Sequence, residues 1–166
     1  MATITREFPA STGGPVPSVT FPEMKSAGTN IAIRSLSFDA STDEGCQFPW
    51  RATGYGSGNL TVTLLWYADT ATSGNVVWGA AIAAITPDSD TQNIETDTWA
   101  TENTATDGTS GSTQALNTTA ITVSNLDSIA ASDMAWLRIR RLGTSGSDTM
   151  SGDAQLVAVI LSYSDT

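Results

Sequence analysis

The stretch Leu60-Thr-Val-Thr-Leu-Leu-Trp66 constrains the fold of this chain more than any other. Leu60, Val62, Leu64 and Trp66 recur at every second position, with Thr61 and Thr63 between them. Successive side chains of an extended strand point to opposite faces, so this pattern predicts a half-buried strand over 59–68. The same period returns at 134–142, where Ala135, Leu137 and Ile139 fall on the inward face and Trp136, Arg138 and Arg140 on the outward one.

Weaker signals extend the pattern. Over 76–86, Val76, Trp78, Ala80, Ile82 and Ala84 line one face, between Gly74 and Pro87. β-branched residues and turn formers at the ends favour a strand there, and the small residues allow another layer to approach closely. Residues 154–163 are apolar on both faces, as in a central strand or one covered by a partner. In 29–38 the phase slips between Ile31/Ile33 and Leu36/Phe38, which predicts a β-bulge near Arg34 and Ser35. Pro49 marks 46–53 as an edge or a short irregular strand. Residues 116–124 form a strand through Leu116, Ile121 and Val123, and Leu126, Ile129 and Ala130 suggest one helical turn. Residues 92–104 are weakly patterned, while 105–114 and 143–152 read as loops. Eight or nine short strands without a long helix predict an all-β fold, an antiparallel, jelly-roll-like β-sandwich. Composition agrees: Ser and Thr make up roughly a quarter of the chain, where charged residues contribute only 14%.

Residues 1–28 are broken by Pro9, Pro15, Pro17 and Pro22 yet carry Phe8, Val16, Val19 and Phe21. Disordered tails hold fewer apolar residues. The expected organisation is therefore an extended N-terminal arm over 1–28, packed on its own domain or on a neighbour, followed by a sandwich over 29–166.

Catalytic chemistry has little to work with. The 166 residues include no histidine and one cysteine, Cys46, which removes Ser-His-Asp and Cys-His hydrolysis in their usual forms and makes a zinc site untenable. Cys46 reads as a small buried hydrophobe. Gly54-Tyr-Gly-Ser-Gly58 lacks the lysine and helix of a phosphate loop. Asp88, Asp90, Glu95 and Asp97 crowd together ahead of Trp99. Such carboxylates serve glycoside hydrolysis or calcium binding elsewhere, but their spacing matches no calcium loop, and a solvated acidic loop is the expectation, as for Asp148 and Asp153. The reading is of a non-enzyme without a cofactor. A net charge of −10 repels phosphate backbones and anionic membrane surfaces. The start of the chain has no signal-peptide pattern, and no apolar run is long enough for a membrane helix.

Five tryptophans remain to be accounted for. Trp66 and Trp78 fall on core faces. Trp50 and Trp99 are undecided. Trp136 points outward beside Arg138, a combination suited to an interface hot spot or to sugar stacking.

Two segments also resemble a known group of proteins. The hairpin from Leu64 to Trp78, and the ending Trp136-Leu-Arg-Ile-Arg-Arg-Leu-Gly followed by Asp153–Tyr163, resemble small β-sandwich virion proteins of tailed bacteriophages: capsid decoration (cement) proteins or tail components. The resemblance implies a jelly-roll-like fold, commonly a homotrimer, made in the host cytoplasm and attached to the major capsid protein or other virion proteins. Residues 1–28 carry no part of the resemblance; from the apolar, proline-broken composition of that arm and the outward face of 134–142, Phe8, Val16, Val19, Phe21, Trp136, Arg138 and Arg140 are candidate assembly contacts. The alternative is a tail-tip or fibre module that recognises a surface glycan, and exposed Trp99 or Trp136 near the acidic loops would favour it.

Overall fold

The computed structural model describes residues 2–166. Among the described residues, eleven strands form two antiparallel sheets: β1 (Thr3–Pro9), β2 (Gly14–Pro15), β3 (Glu23–Ala27), β4 (Ile33–Phe38), β5 (Asp43–Arg51), β6 (Leu60–Ala68), β7 (Asn75–Ile85), β8 (Asn103–Gly108), β9 (Leu116–Val123), β10 (Met134–Leu142) and β11 (Ala154–Ser164). One sheet runs β3-β4-β11-β6-β9, with β1 also on β11; the other runs β2-β5-β10-β7-β8. The result is the expected jelly-roll-like sandwich. The alternating stretch at 59–68 became β6, with Leu60, Val62, Leu64 and Trp66 all fully buried. Strand β11, apolar on both faces, lies in mid-sheet between β6 and the pair β4 and β1.

Aromatic side chains join the two sheets across the core. Trp78 of β7 meets Trp66 and Phe38 edge-on, at 5.9 and 5.2 Å between ring centroids. Such contacts add to the burial of large rings. The indole Nε1–H of Trp66 donates to Thr119 Oγ1 at 2.8 Å, and that hydroxyl donates to Asp107 Oδ2 at 2.6 Å. Cys46 lies fully buried in the same core, where desolvation pushes its thiol pKa upward.

The structure refines or departs from the sequence reading at three places. First, the segment 2–28 takes one of the two placements expected for it, on its own domain, and does so as strands: β1 pairs along β11, β2 pairs with β5, and β3 pairs with β4. Phe8 stacks on Phe48 at 5.4 Å, Val16 is buried, Val19 is half-buried against β5, and Phe21 packs on the core. The apolar residues of this segment are used within the chain. Second, no bulge occurs near Arg34 and Ser35, because Ile31 precedes the strand and is 75% exposed. The irregularity sits instead between Leu156 and Ala158 in the β6–β11 ladder. Ser35 and Ser37 are buried and bonded through Gln155, which accepts from Ser35 at 2.9 Å and donates to Ser37 at 2.6 Å. Third, the polar stretch Asn103–Gly108, divided in the sequence reading between a weak segment and a loop, is an edge strand on β7.

The strongest polar anchor is Arg141, a fully buried side chain at the end of β10. Its Nε and Nη2 donate to Asp148 Oδ2 and Oδ1 at 3.0 and 2.8 Å. Nη1 donates to the carbonyls of Phe38 and Gly152, and Nη2 to that of Met150. Asp148 also accepts the backbone N–H of Val77. The network thus ties β10 and β7 of one sheet to β4 of the other, through the 143–152 loop. Nearby, Glu44 is buried and accepts the Asp39 N–H at 2.8 Å. Desolvation raises its carboxyl above the ordinary value; the hydrogen bond from the Asp39 N–H opposes the rise, the Asp39 and Asp153 charges add to it, and Arg141 opposes it.

Removing one partner of a buried ion pair leaves the other charged and unsolvated. Arg141→Leu is therefore expected to cost about 3–5 kcal/mol, read as a lower urea midpoint at unchanged slope. For Glu44 the raised native pKa means that the unfolded chain loses its proton first. Its contribution to stability is full below the unfolded carboxylate pKa and is lost as pH rises through the raised native value. Glu44→Gln should remove that part of the pH dependence, so that the stability difference between variant and wild type shifts in the variant's favour from acidic to neutral pH.

Candidate functional site

The outer face of the β2-β5-β10-β7-β8 sheet carries a trough built from residue size. On β10, Trp136, Arg138 and Arg140 point away from the core, as the alternation required. Their neighbours on β7 are Ala83, Ala81 and Gly79. This strip of minimal side chains leaves room for the segment connecting β7 to β8, residues 86–102, to fold back over the sheet. Thr86 N–H donates to Asp90 Oδ2 at 2.7 Å where that segment leaves β7, and Ala100 N–H returns to Ile82 O at 2.9 Å.

An ionic clasp fixes the returning segment. Glu102 accepts Arg138 Nη2 at 3.2 Å and Arg140 Nη1 at 3.1 Å, and Arg140 Nη2 also reaches Asp43 at 3.1 Å. The Arg138 guanidinium carbon stands 5.0 Å from the centre of the Trp99 ring, a cation–π contact that orients the indole. Burial pulls the Arg138 guanidinium below its ordinary pKa, and the Glu102 carboxylate opposes that pull. Gly79 makes the clasp fit: a Cβ there would lie 2.6 Å from the Glu102 carboxyl carbon.

Between sheet and returning segment lies a groove of about 500 Å³. Its sheet wall is Trp136, Ala83, Ile85 and Gln47, with Pro17 at the margin; its other wall is Ile94, Glu95, Asp97, Thr98 and Trp99. Both tryptophans are half-buried. Asp97 Oδ1 accepts the Thr98 N–H at 2.9 Å, while its Oδ2 is buried without a hydrogen-bond partner. A mostly apolar concavity with two aromatic rings and a few polar atoms has the make-up of a small-ligand site.

Of the residues singled out in the sequence, Trp99, Trp136, Glu95 and Asp97 meet in this groove. Arg138 and Arg140 lie beside it, but they are held within the chain by Glu102 and Asp43. Phe8, Val16, Val19 and Phe21 do not line it; they pack on their own sandwich. Trp50 is buried against Tyr163. The acidic residues do not gather around a cation: among the described residues no three carboxylate or thiol side chains converge. Asp148 holds Arg141, and Asp153 accepts from Ser37 and Lys25. The pattern reading missed Gln47, Thr98 and the clasp residue Glu102, none of which has a local signal.

No family model and no curated protein sequence matches the chain. Solved structures do. The isomalto-dextranase of Arthrobacter globiformis T6, complexed with panose, superposes with a TM-score of 0.60 at 10% identity, over 95% of this chain and 23% of that one. The chain thus spans under a quarter of that enzyme. The module CsCBM6-3 from Clostridium stercorarium, in complex with cellobiose, gives 0.50 at 15% identity, over 96% and 94% of the two chains. CBM35 from Cellvibrio japonicus Abf62 gives 0.50 at 11%, over 98% and 99%. At these identities the likeness is one of fold: the β-sandwich of carbohydrate-binding modules. It lends nothing to the reading of a capsid cement protein.

Glu102→Ala leaves two adjacent arginines without their shared carboxylate. Hydrogen bonds to charged groups are worth about 1.5–3 kcal/mol, and a loss of that size is expected. Amide exchange should accelerate over residues 86–102 and leave β6 and β11 unchanged.

Proposed function

We propose that this chain is a glycan-binding module whose ligand lies in the groove between Trp136 and Trp99. The observation that carries the reading is the convergence of these two half-buried indoles with Gln47, Glu95, Asp97 and Thr98 in one concavity of about 500 Å³. Sugar rings present apolar C–H faces and a hydroxyl periphery. Indole rings match the first, and amide, hydroxyl and carboxylate groups match the second. The sandwich fold shared with carbohydrate-binding modules supports the reading.

Binding rather than cleavage fits the chemistry of the walls. Glycoside hydrolysis needs two carboxyl groups flanking the scissile bond. Here Glu95 and Asp97 come from one segment, two residues apart, and the facing wall offers Gln47, Trp136 and aliphatic side chains. In the virion setting implied by the sequence resemblance, such a module belongs at a tail tip or fibre rather than on a head shell. Six of the seven candidate assembly contacts, all but Trp136, are packed or ion-paired within the chain, which weighs against cementing. Placement on a virion and any homotrimer remain part of this proposal.

A broad glycan array followed by titration calorimetry tests it. Reproducible hits are expected, and Trp136→Ala and Trp99→Ala should each weaken them at least about tenfold, or roughly 1.4 kcal/mol, without unfolding the sandwich. An array without hits contradicts the proposal.

A further inference from the structure

We infer that the groove selects glycans carrying free amino groups, of the glucosamine type, over acidic ones. The inference rests on the glycan-binding reading above and concerns the charge of the same site. The ionisable side chains lining the groove are Glu95 and Asp97; no lysine or arginine lines it. The nearby cations are already engaged, Arg138 by Glu102 and Arg140 by Glu102 and Asp43. Their unpartnered Nε atoms are buried and neither arginine lines the groove, so neither presents a donor to it. Among the described residues, neither Glu95 nor Asp97 makes an ion pair.

The polar chemistry of the groove therefore calls for donors. Glu95 presents an exposed carboxylate on the groove wall, and Asp97 adds a second negative charge although its Oδ2 is itself buried. A sugar hydroxyl can donate to the Glu95 carboxylate, but a protonated amine adds the attraction of opposite charges to the hydrogen bond. A uronate or sialate carboxylate meets the opposite situation: it enters beside two carboxylates with no cation to neutralise it. The chain's net charge of −10 extends the same preference to longer range. The stacking surfaces of Trp136 and Trp99 do not distinguish these sugars, so charge sets the selection.

Titration calorimetry with three tetrasaccharide probes tests this: a glucosamine oligomer, its fully N-acetylated counterpart and an oligogalacturonate. At low salt the glucosamine oligomer should bind about tenfold tighter than the N-acetylated one, with the uronate weakest. That preference should shrink to near parity at about 1 M salt, where the screening length falls to about 3 Å, and also in the Glu95→Gln/Asp97→Asn double variant. Equal or tighter binding of the N-acetylated or acidic oligomer overturns the charge selection and leaves the glycan reading standing. Glucosamine binding that survives intact in Trp136→Ala also overturns it, since the amine is then attracted to the acidic surface at large. Failure of all three probes, together with an empty glycan array, removes both.

Discussion

Arg141 is the side chain on which the two halves of the sandwich depend. It is fully buried, and four partners surround it: the Asp148 carboxylate and the carbonyls of Phe38, Met150 and Gly152. A buried guanidinium is costly to desolvate and is tolerated only when its donors are satisfied. Here the partners come from β4, from the 143–152 loop and, through Asp148 and Val77, from β7. A stretch of glycine, serine and threonine that would otherwise be loosely held is thereby fixed to both sheets.

With the sheets held in this way, the outer face of β10 becomes a rigid platform. The same strand that sends Arg141 inward sends Trp136, Arg138 and Arg140 outward. What turns the platform into a groove is the strip Gly79, Ala81 and Ala83 on β7, together with a returning segment clasped by Glu102. One glycine lets the carboxylate lie flat against the sheet, the carboxylate holds both arginines, and Arg138 holds Trp99. The arginines that look free in sequence thus shape the site from behind, and the charge exposed to a ligand is left to Glu95 and Asp97.

Much of this was legible from residue order. Alternation located β6 and β10, gave the outward face of Trp136, and placed Trp66 and Trp78 in the core. The small residues of β7 announced a close-packed layer. The acidic segment before Trp99 was visible as a cluster, although its placement opposite Trp136 is a long-range fact. Alternation failed where burial is polar. Ser35 and Ser37 are covered because Gln155 satisfies them, and Asn103–Gly108 pairs as a strand without an apolar side chain larger than alanine. Arg141 stands at an inward-facing position, and its partner Asp148 lies in a loop that composition alone describes as solvated. The proline-broken start looked like an arm because its strands are short and pair with distant segments, which no local pattern reveals.

The central claim is that the groove between Trp136 and Trp99 is where this protein meets its ligand. The most direct measurement is nuclear magnetic resonance of the five indole N–H groups during titration with a glycan that binds. The account predicts progressive shifts of the Trp99 and Trp136 indole signals, with those of the core residues Trp66 and Trp78 unmoved. Shifts confined to the opposite sheet, on β6 and β9, with Trp99 and Trp136 silent, would contradict it.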